Sequence, residues 1–269
     1  MHNPWKLYDE LIEGIPAEPT VKYYQGGYNW SRVVSSEDSM GLAMTIPMIT
    51  WPALFHEPTL AGKPLREAAQ LVKSWNFVEA ALGMAAINSW YNQPERAESC
   101  GFVHPNVANG LREAFDVYFE EVQGKKVCIV GHFPFIEKRF SGYCDLSILE
   151  RNPDMGDYPD PACEYILPEQ DYVFITGSTF VNKTLPRLLA LSQNARVVIV
   201  GPSTPLAPIL FERGVYGLSG FTSTSIDRLE DALRGASNMT LFDAGLMVDQ
   251  MRVARLSCST YPTGRPSGR

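Results

Sequence analysis

The sequence predicts an α/β protein in two parts, a small α+β domain followed by a domain built on a mostly parallel sheet. Three observations carry this. The chain has 269 residues, 45% hydrophobic and 20% charged, an ordinary globular composition at the length where one core tends to divide into two. Its first part mixes helical spacing with β-branched and aromatic stretches. Its second part repeats short runs that are apolar at every position, the pattern of parallel strands covered by helices on both faces.

Trp5, Tyr8, Leu11, Ile12 and Ile15 fall at helical spacing, and Pro16 ends the pattern. Thr20–Tyr24, Tyr28–Val34 and Met40–Ile46 then read as an antiparallel meander. Leu65, Ala68, Ala69 and Val72 mark one helix, and Asn76–Tyr91 a second, dense in alanine and with Gly83 permitting a close neighbour. Residues 94–109 read as an irregular connection. Beyond Lys125 the apolar runs Val127–Val130, Leu146–Leu149, Tyr172–Ile175 and Val197–Val200 predict four parallel strands. Helices fit between them at 135–139, 185–192 and 205–212, with a last helix at Ile226–Arg234 and a last strand at Met239–Phe242. The expected division is 1–108, 109–251 and a disordered tail, 252–269, rich in Ser, Pro, Gly and Arg.

Acids outnumber bases by 30 to 23, for a net charge of −7. Four arginines and no acid lie in 252–269, so the body is more acidic still. That balance argues against a nucleic-acid groove, which needs a concentrated cationic face, and against docking on an anionic membrane. No apolar run approaches the roughly 18 residues of a membrane span, and the first residues lack the apolar core of a signal peptide, so a cytoplasmic protein is expected. Cys100, Cys128, Cys144, Cys163 and Cys258 form no CxxC pair, so neither a disulfide framework nor a zinc knuckle is indicated. A metal site would have to be gathered from distant residues or brought by a ligand.

Ligands of open parallel sheets bind beyond the carboxyl ends of the strands, which directs attention to four turns: Gly131–Pro134, Glu150–Pro153, Thr176–Thr179 around Gly177, and Gly201–Pro205. In the fourth, Gly201 allows close backbone approach. Pro202 and Ser203 follow, and Thr204 is placed to cap a helix beginning at Pro205, so the turn could hold an anion on free N–H groups. A plain strand-to-helix turn is the competing reading. Glu150 follows Gly131 by the interval at which dinucleotide folds place their ribose-binding acid, but one glycine stands where GxGxxG needs three.

His132, directly after the first strand, suits a ligand or a proton carrier; the alternative is a histidine bonded to a carbonyl. His56 and His104 sit in polar loops and read as solvated. Asp154, Asp157, Asp160 and Glu164 with Cys163 offer oxygen and sulfur donors, in a spacing that matches no calcium loop. Asn76, Glu79 and Gly83 share a helix face, and Asn88, Asn92 and Gln93 add amides at its other end. Their alternatives are a helix N-cap for Asn76, a solvated acid for Glu79 and a buried amide for Asn88. Ser178 lacks a GxSxG elbow, which argues against a serine hydrolase.

Val72–Asn76 with Glu79-Ala80, Ala85–Asn88 with Tyr91-Asn92, Gly131–Pro134, Cys144–Glu150, Gly156–Pro159, Lys183–Leu189 and Gly201–Pro208 occur in one order over residues 5–245. In this the chain resembles the bacterial and archaeal family called putative heavy-metal chelation. The resemblance implies an enolase N-terminal-like domain joined to a Rossmann-like domain, with a site between them. It also implies metal handling or a related chelate chemistry.

The combined expectation is a small-molecule or metal-chelate ligand held by Asn76, Glu79, Asn88, His132, Glu150, Asp157, Gly177, Gly201, Pro202, Ser203 and Thr204. His132, Glu79 and Asp157 are the candidate ligands of a transition-metal ion. The alternative is an enzyme using NAD or S-adenosylmethionine, with Glu150 on the ribose. No residue is assigned a catalytic role, and the oligomeric state, a homo-oligomer included, stays open.

Overall fold

Helix α1 (Lys6–Glu13) turns Leu7, Tyr8, Leu11 and Ile12 inward and leads into an antiparallel sheet of β1 (Val21–Gln25), β2 (Trp30–Ser35) and β3 (Met40–Met44). Helix α2 (Leu65–Ala69) runs through a 3-10 turn at Gln70–Lys73 towards α3 (Phe77–Tyr91). All of α3 but Val78 is buried, which makes it a core helix rather than an amphipathic one. Its small residues explain how. A Cβ on Gly83 would sit 2.0 Å from the Val72 backbone nitrogen, and one on Gly41 of β3 2.0 Å from the Ser89 nitrogen. The helix is therefore held at backbone distance from both neighbours.

The computed structural model describes residues 3–50, 53–104, 114–133, 135–235 and 239–251. The expected boundary at 108, Pro134, and the segment 252–269 with Cys258 lie outside them. Where an irregular connection was expected, α4 (Pro94–Ser99) forms, with proline in its first turn. The second part then proceeds through β4 (Lys126–Val130), α5 (Ile136–Phe140), β5 (Asp145–Glu150), β6 (Tyr158–Pro159), α6 (Cys163–Ile166), β7 (Tyr172–Thr176) and α7 (Ser178–Val181). It closes with α8 (Leu185–Leu191), β8 (Arg196–Val200), α9 (Ile209–Glu212), β9 (Gly217–Ser223), α10 (Ile226–Arg234) and β10 (Gly245–Met251). The sheet order is β10-β9-β8-β7-β4-β5-β6, parallel except for β10. Among the described residues no helix is long and apolar enough to cross a membrane.

Two expectations need correction, and one strand goes unpredicted. Strand β9, for which the sequence pattern gives no expectation, contains Gly217 and Gly220, and both are close-approach glycines. A Cβ on Gly217 would meet Tyr118 Oη at 2.1 Å, and one on Gly220 would meet Leu206 Cδ2 at 2.8 Å. The last strand starts at Gly245, not Met239, because Leu241–Asp243 form a 3-10 turn closed by a Thr240–Asp243 capping box. The helix expected at 205–212 is only Ile209–Glu212.

The two parts share one apolar core, running from Leu7 and Val72 to Leu206 and Leu218. Polar groups fix their relative position. The Asn92 side chain, 2% exposed, donates to Thr204 O at 2.9 Å and Phe221 O at 3.1 Å, and accepts from Leu206 N at 2.9 Å. Arg32 forms a two-pronged ion pair with Glu230 at 2.6 and 2.7 Å, and Tyr8 Oη donates to Phe180 O. Replacing Asn92 by alanine strands two carbonyls and an N–H inside the interface. The expected loss is about 3 kcal/mol or more, read from urea denaturation; a loss under 1 kcal/mol contradicts the role assigned to this amide.

On β10, Asp249 is 6% exposed, and neither carboxylate oxygen has a hydrogen-bond partner among the described residues. Burial pushes its pKa from 3.8 up to about 7. The Ser219 hydroxyl across the ladder tempers the rise without reaching bonding geometry. As pH climbs from about 4 to 7 the unfolded chain releases this proton before the folded one does, so stability falls with pH and the full penalty stands above 7. Asp249→Asn is therefore expected to stabilise the fold, by roughly 1 kcal/mol more at pH 8.5 than at pH 6. A gain independent of pH in paired denaturation curves would contradict this.

Candidate functional site

A cavity of 540 Å³ opens between the two parts at the carboxyl edge of the parallel sheet. One wall comes from Trp30 and from Met44–Pro47 beyond β3. The other comes from the turns after β4, β5, β7 and β8. Parallel register brings those turns to the same edge, as the strand pattern predicts. His132, Glu150, Gly177, Gly201, Pro202 and Ser203 all line this cleft.

His132 is held from two sides. Its backbone N–H donates to Glu150 Oε2 at 3.0 Å, and its ring Nδ1 lies 3.1 and 3.0 Å from the two oxygens of Asp157. The short strand β6 makes this possible. By pairing beside Leu149 and Glu150 it returns the chain to the rim immediately after Asp157. The Asp157 side chain is 1% exposed, and that of His132 22%. A carboxylate can only accept, so in the neutral ring the proton sits on Nδ1 and the lone pair on Nε2. The hydrogen bond to Asp157, with that residue's charge, raises the imidazole pKa above its ordinary 6.5. Glu150 accepts the N–H groups of Arg151 at 2.7 Å and Asn152 at 3.1 Å as well. Three backbone amides thus occupy the carboxylate that the dinucleotide reading would place on a ribose.

The fourth turn is built differently from the expected anion cradle. Gly201 N–H donates to Ser219 O and Thr204 N–H to Gly201 O, while Pro202 and Pro205 have no N–H. Helix α9 starts only at Ile209, so Thr204 caps nothing and no helix dipole points at the turn. Thr204 is fully buried. Ser203 Oγ accepts from Met44 N at 2.8 Å, tying the turn to the opposite wall. Gly177 has a packing role, since a Cβ there would fall 2.7 Å from Thr204 N. The cation facing the cleft is Arg151, only loosely engaged by Asp160 at 3.7 Å.

The helical residues of the expected set lie elsewhere. Asn76 is the N-cap of α3, accepting from Val78 N and Glu79 N. Glu79 accepts from Leu54 N at 2.8 Å, Phe55 N at 3.2 Å and Ser74 Oγ at 2.5 Å, anchoring the loop before α2. Asn88 is fully buried and donates to Leu42 O at 2.7 Å. None of the three lines the cleft. The expected metal set of His132, Glu79 and Asp157 accordingly does not assemble. Among the described residues no three His, Cys, Asp or Glu side chains could hold an ion together.

Sequence reading missed Trp30, Met44–Pro47, Asn182, Thr184 and Phe242, which complete the cleft. Trp30 begins one strand of the meander and Met44–Pro47 follow the end of another, and nothing in their spacing points across a domain interface. A signal did exist at Lys183 and Thr184, within one of the quoted motifs. Lys183 takes φ +65, strained for a residue with a Cβ, and Asn182 Oδ1 braces the turn by accepting from Thr184 N and Oγ1. Burial beside Trp75 and Phe77 lowers the Lys183 pKa to about 7.

Two family models, each described as putative heavy-metal chelation, match residues 8–91 and 113–252. An uncharacterized protein of Methanocaldococcus jannaschii is 33% identical over 190 residues, 67% of this chain and 69% of that one. A crystal structure of a DUF364-family protein of unknown function from Desulfitobacterium hafniense superposes with a TM-score of 0.83 at 45% identity, covering 92% of this chain and 98% of the other. A second, from Pyrococcus horikoshii, gives 0.74 at 22% identity over 92% and 99%; at that identity the likeness concerns the fold.

The His132–Asp157 pair makes a testable unit. Because the folded pKa lies above the unfolded one, its contribution to stability is complete below the unfolded value near 6.5 and is lost as pH rises through the folded value. An NMR titration should place His132 above 6.5 in the parent and lower it in Asp157→Asn. Identical titrations in both proteins would remove the pair.

Proposed function

Because this chain belongs to the family described as putative heavy-metal chelation, we propose that it binds a small metal chelate, or a comparable anionic metal-associated ligand, in the cleft between its two parts. The observation that carries this is His132. Its Nδ1 is engaged by a buried carboxylate, its Nε2 lone pair is free, and the cleft it lines holds no set of three metal-ligating side chains among the described residues. A carboxylate behind an imidazole is the usual support of a metal-binding histidine, fixing its tautomer and strengthening its donor nitrogen.

One imidazole is far too few donors for a bare ion, since a closed site takes four or more. A chelate brings the remaining donors with it and leaves a coordination position for Nε2. Arg151 would meet the carboxylate donors of such a ligand. On this reading the metal is cargo, and the protein's part is to recognise the complex through one nitrogen and a shaped cleft. The NAD or S-adenosylmethionine alternative has no comparable support, because Glu150 already serves three backbone amides.

The test is calorimetric, with untagged protein and three probes: aqueous Ni²⁺, N-methyliminodiacetate, and their 1:1 complex. The complex should bind roughly tenfold or more tighter than either component. His132→Ala should abolish that advantage, and Asp157→Asn should weaken the complex about 10- to 100-fold. Equal binding of the aqueous ion and the complex, or a complex indifferent to His132→Ala, refutes the proposal.

A further inference from the structure

The cleft does not end at the fourth turn. Behind it lies a second cavity of 250 Å³ that shares Phe133, Gly201, Pro202 and Phe242 with the first, so the two meet along the Gly201-Pro202 turn. Their linings differ in kind. The main cleft has His132, Glu150, Arg151 and Asp160, whereas the annex has no Asp, Glu, Lys or Arg among its described lining residues. Its polar side chain, His104, is engaged at Nδ1 by the Met247 carbonyl at 2.9 Å.

Aromatic rings dominate the annex wall. Phe115 meets Phe133 edge-on at 5.0 Å between centroids and Phe135 at 5.9 Å, with interplanar angles of 72° and 71°. Rings set at such angles offer both faces and edges to a further flat ring. Met247 adds a polarisable thioether across from them. At the seam, Gly201 has φ +112, and a Cβ built there meets nothing within 4 Å. Chain neighbours aside, no atom of the described residues packs against that point.

We propose that the annex receives an uncharged, planar aromatic arm of the ligand whose metal-binding head occupies the main cleft. This deepens the chelate reading and rests on it. The ligand class it names is an aromatic-bearing chelator, as opposed to a fully hydrophilic one such as a simple polycarboxylate. A charged arm would lose its hydration without gaining a partner, whereas a phenyl-sized group would exchange water for ring and thioether contacts.

Two Ni²⁺ complexes with the same donor atoms separate the arm from the head: N-benzyliminodiacetate and N-methyliminodiacetate. The benzyl complex should bind at least about tenfold tighter, equivalent to about 1.4 kcal/mol. Met247→Trp, which fills the annex, should bring the benzyl-to-methyl ratio close to one, and Phe135→Ala, at a partly exposed ring, should lower it roughly threefold or more. Indole, followed by saturation-transfer NMR, probes the annex without any metal. It should bind the parent and not Met247→Trp. Equal affinity for the two complexes overturns the aromatic arm and leaves the chelate reading standing. Indole binding with neither complex bound overturns the chelate reading and keeps the annex as an aromatic site. No binding by any probe overturns both.

Discussion

The structure hangs on one buried amide. Asn92 follows directly after α3 and reaches the Thr204 and Phe221 carbonyls and the Leu206 N–H, so the core helix of the first part and the fourth turn of the second are fixed to each other without freedom to slide. Ser203, one residue away, takes the Met44 N–H. These bonds set the separation between the end of β3 and the ends of β7 and β8, which is the width of the cleft. A binding site whose two walls belong to different sheets needs such a constraint, since apolar contact alone is indifferent to small displacements. Bonds to backbone groups are directional and supply the register.

Within that frame, two neighbouring features give the cleft its chemical character. His132 is positioned through its backbone by Glu150 and through its ring by Asp157, so orientation and tautomer are both settled before any ligand arrives. Arg151 lies beside it with only a distant partner. One prepared nitrogen donor, one available cation and few further ligands are the features on which the proposed recognition of a preformed complex rests. Such recognition accommodates the acidity of the chain as a whole, net −7, because the cleft need not share the sign of the remaining surface.

Much of this was legible in the chain. Apolar runs ending in Gly131, Gly177 and Gly201 located the rim, because parallel strands bring their carboxyl ends together whatever the loops do. His132 and Asp157 were both singled out, though spacing alone could not reveal that the two-residue β6 would carry Asp157 back to His132. The helical candidates failed for a common reason. Asn76, Glu79 and Asn88 stand out because polar groups in an alanine-rich helix need partners, and each bonds backbone, Asn88 through its amide nitrogen alone among the described residues. Strand β9 was unreadable for a related reason: its glycines answer to Tyr118 and Leu206, residues remote in sequence. The boundary near residue 108 and the arginine-rich tail lie outside the described residues.

Gly201 illustrates how a glycine at a rim can be read two ways. If the residue were glycine only to avoid collision, a Cβ there would strike a neighbour, as it does at Gly177, 2.7 Å from Thr204 N. Chain neighbours aside, no atom of the described residues lies within 4 Å of a Cβ built at Gly201, and its φ is +112, a conformation that β-branched residues scarcely adopt. The backbone demands glycine there, and the open space is a consequence that a ligand could use. Valine at this position would alter the turn and the passage at once, and the turn carries Ser203 and Thr204, through which the two parts are joined. A probe of the seam must therefore leave the Gly201 backbone alone and act from the annex wall, where Met247 and Phe135 line the same space.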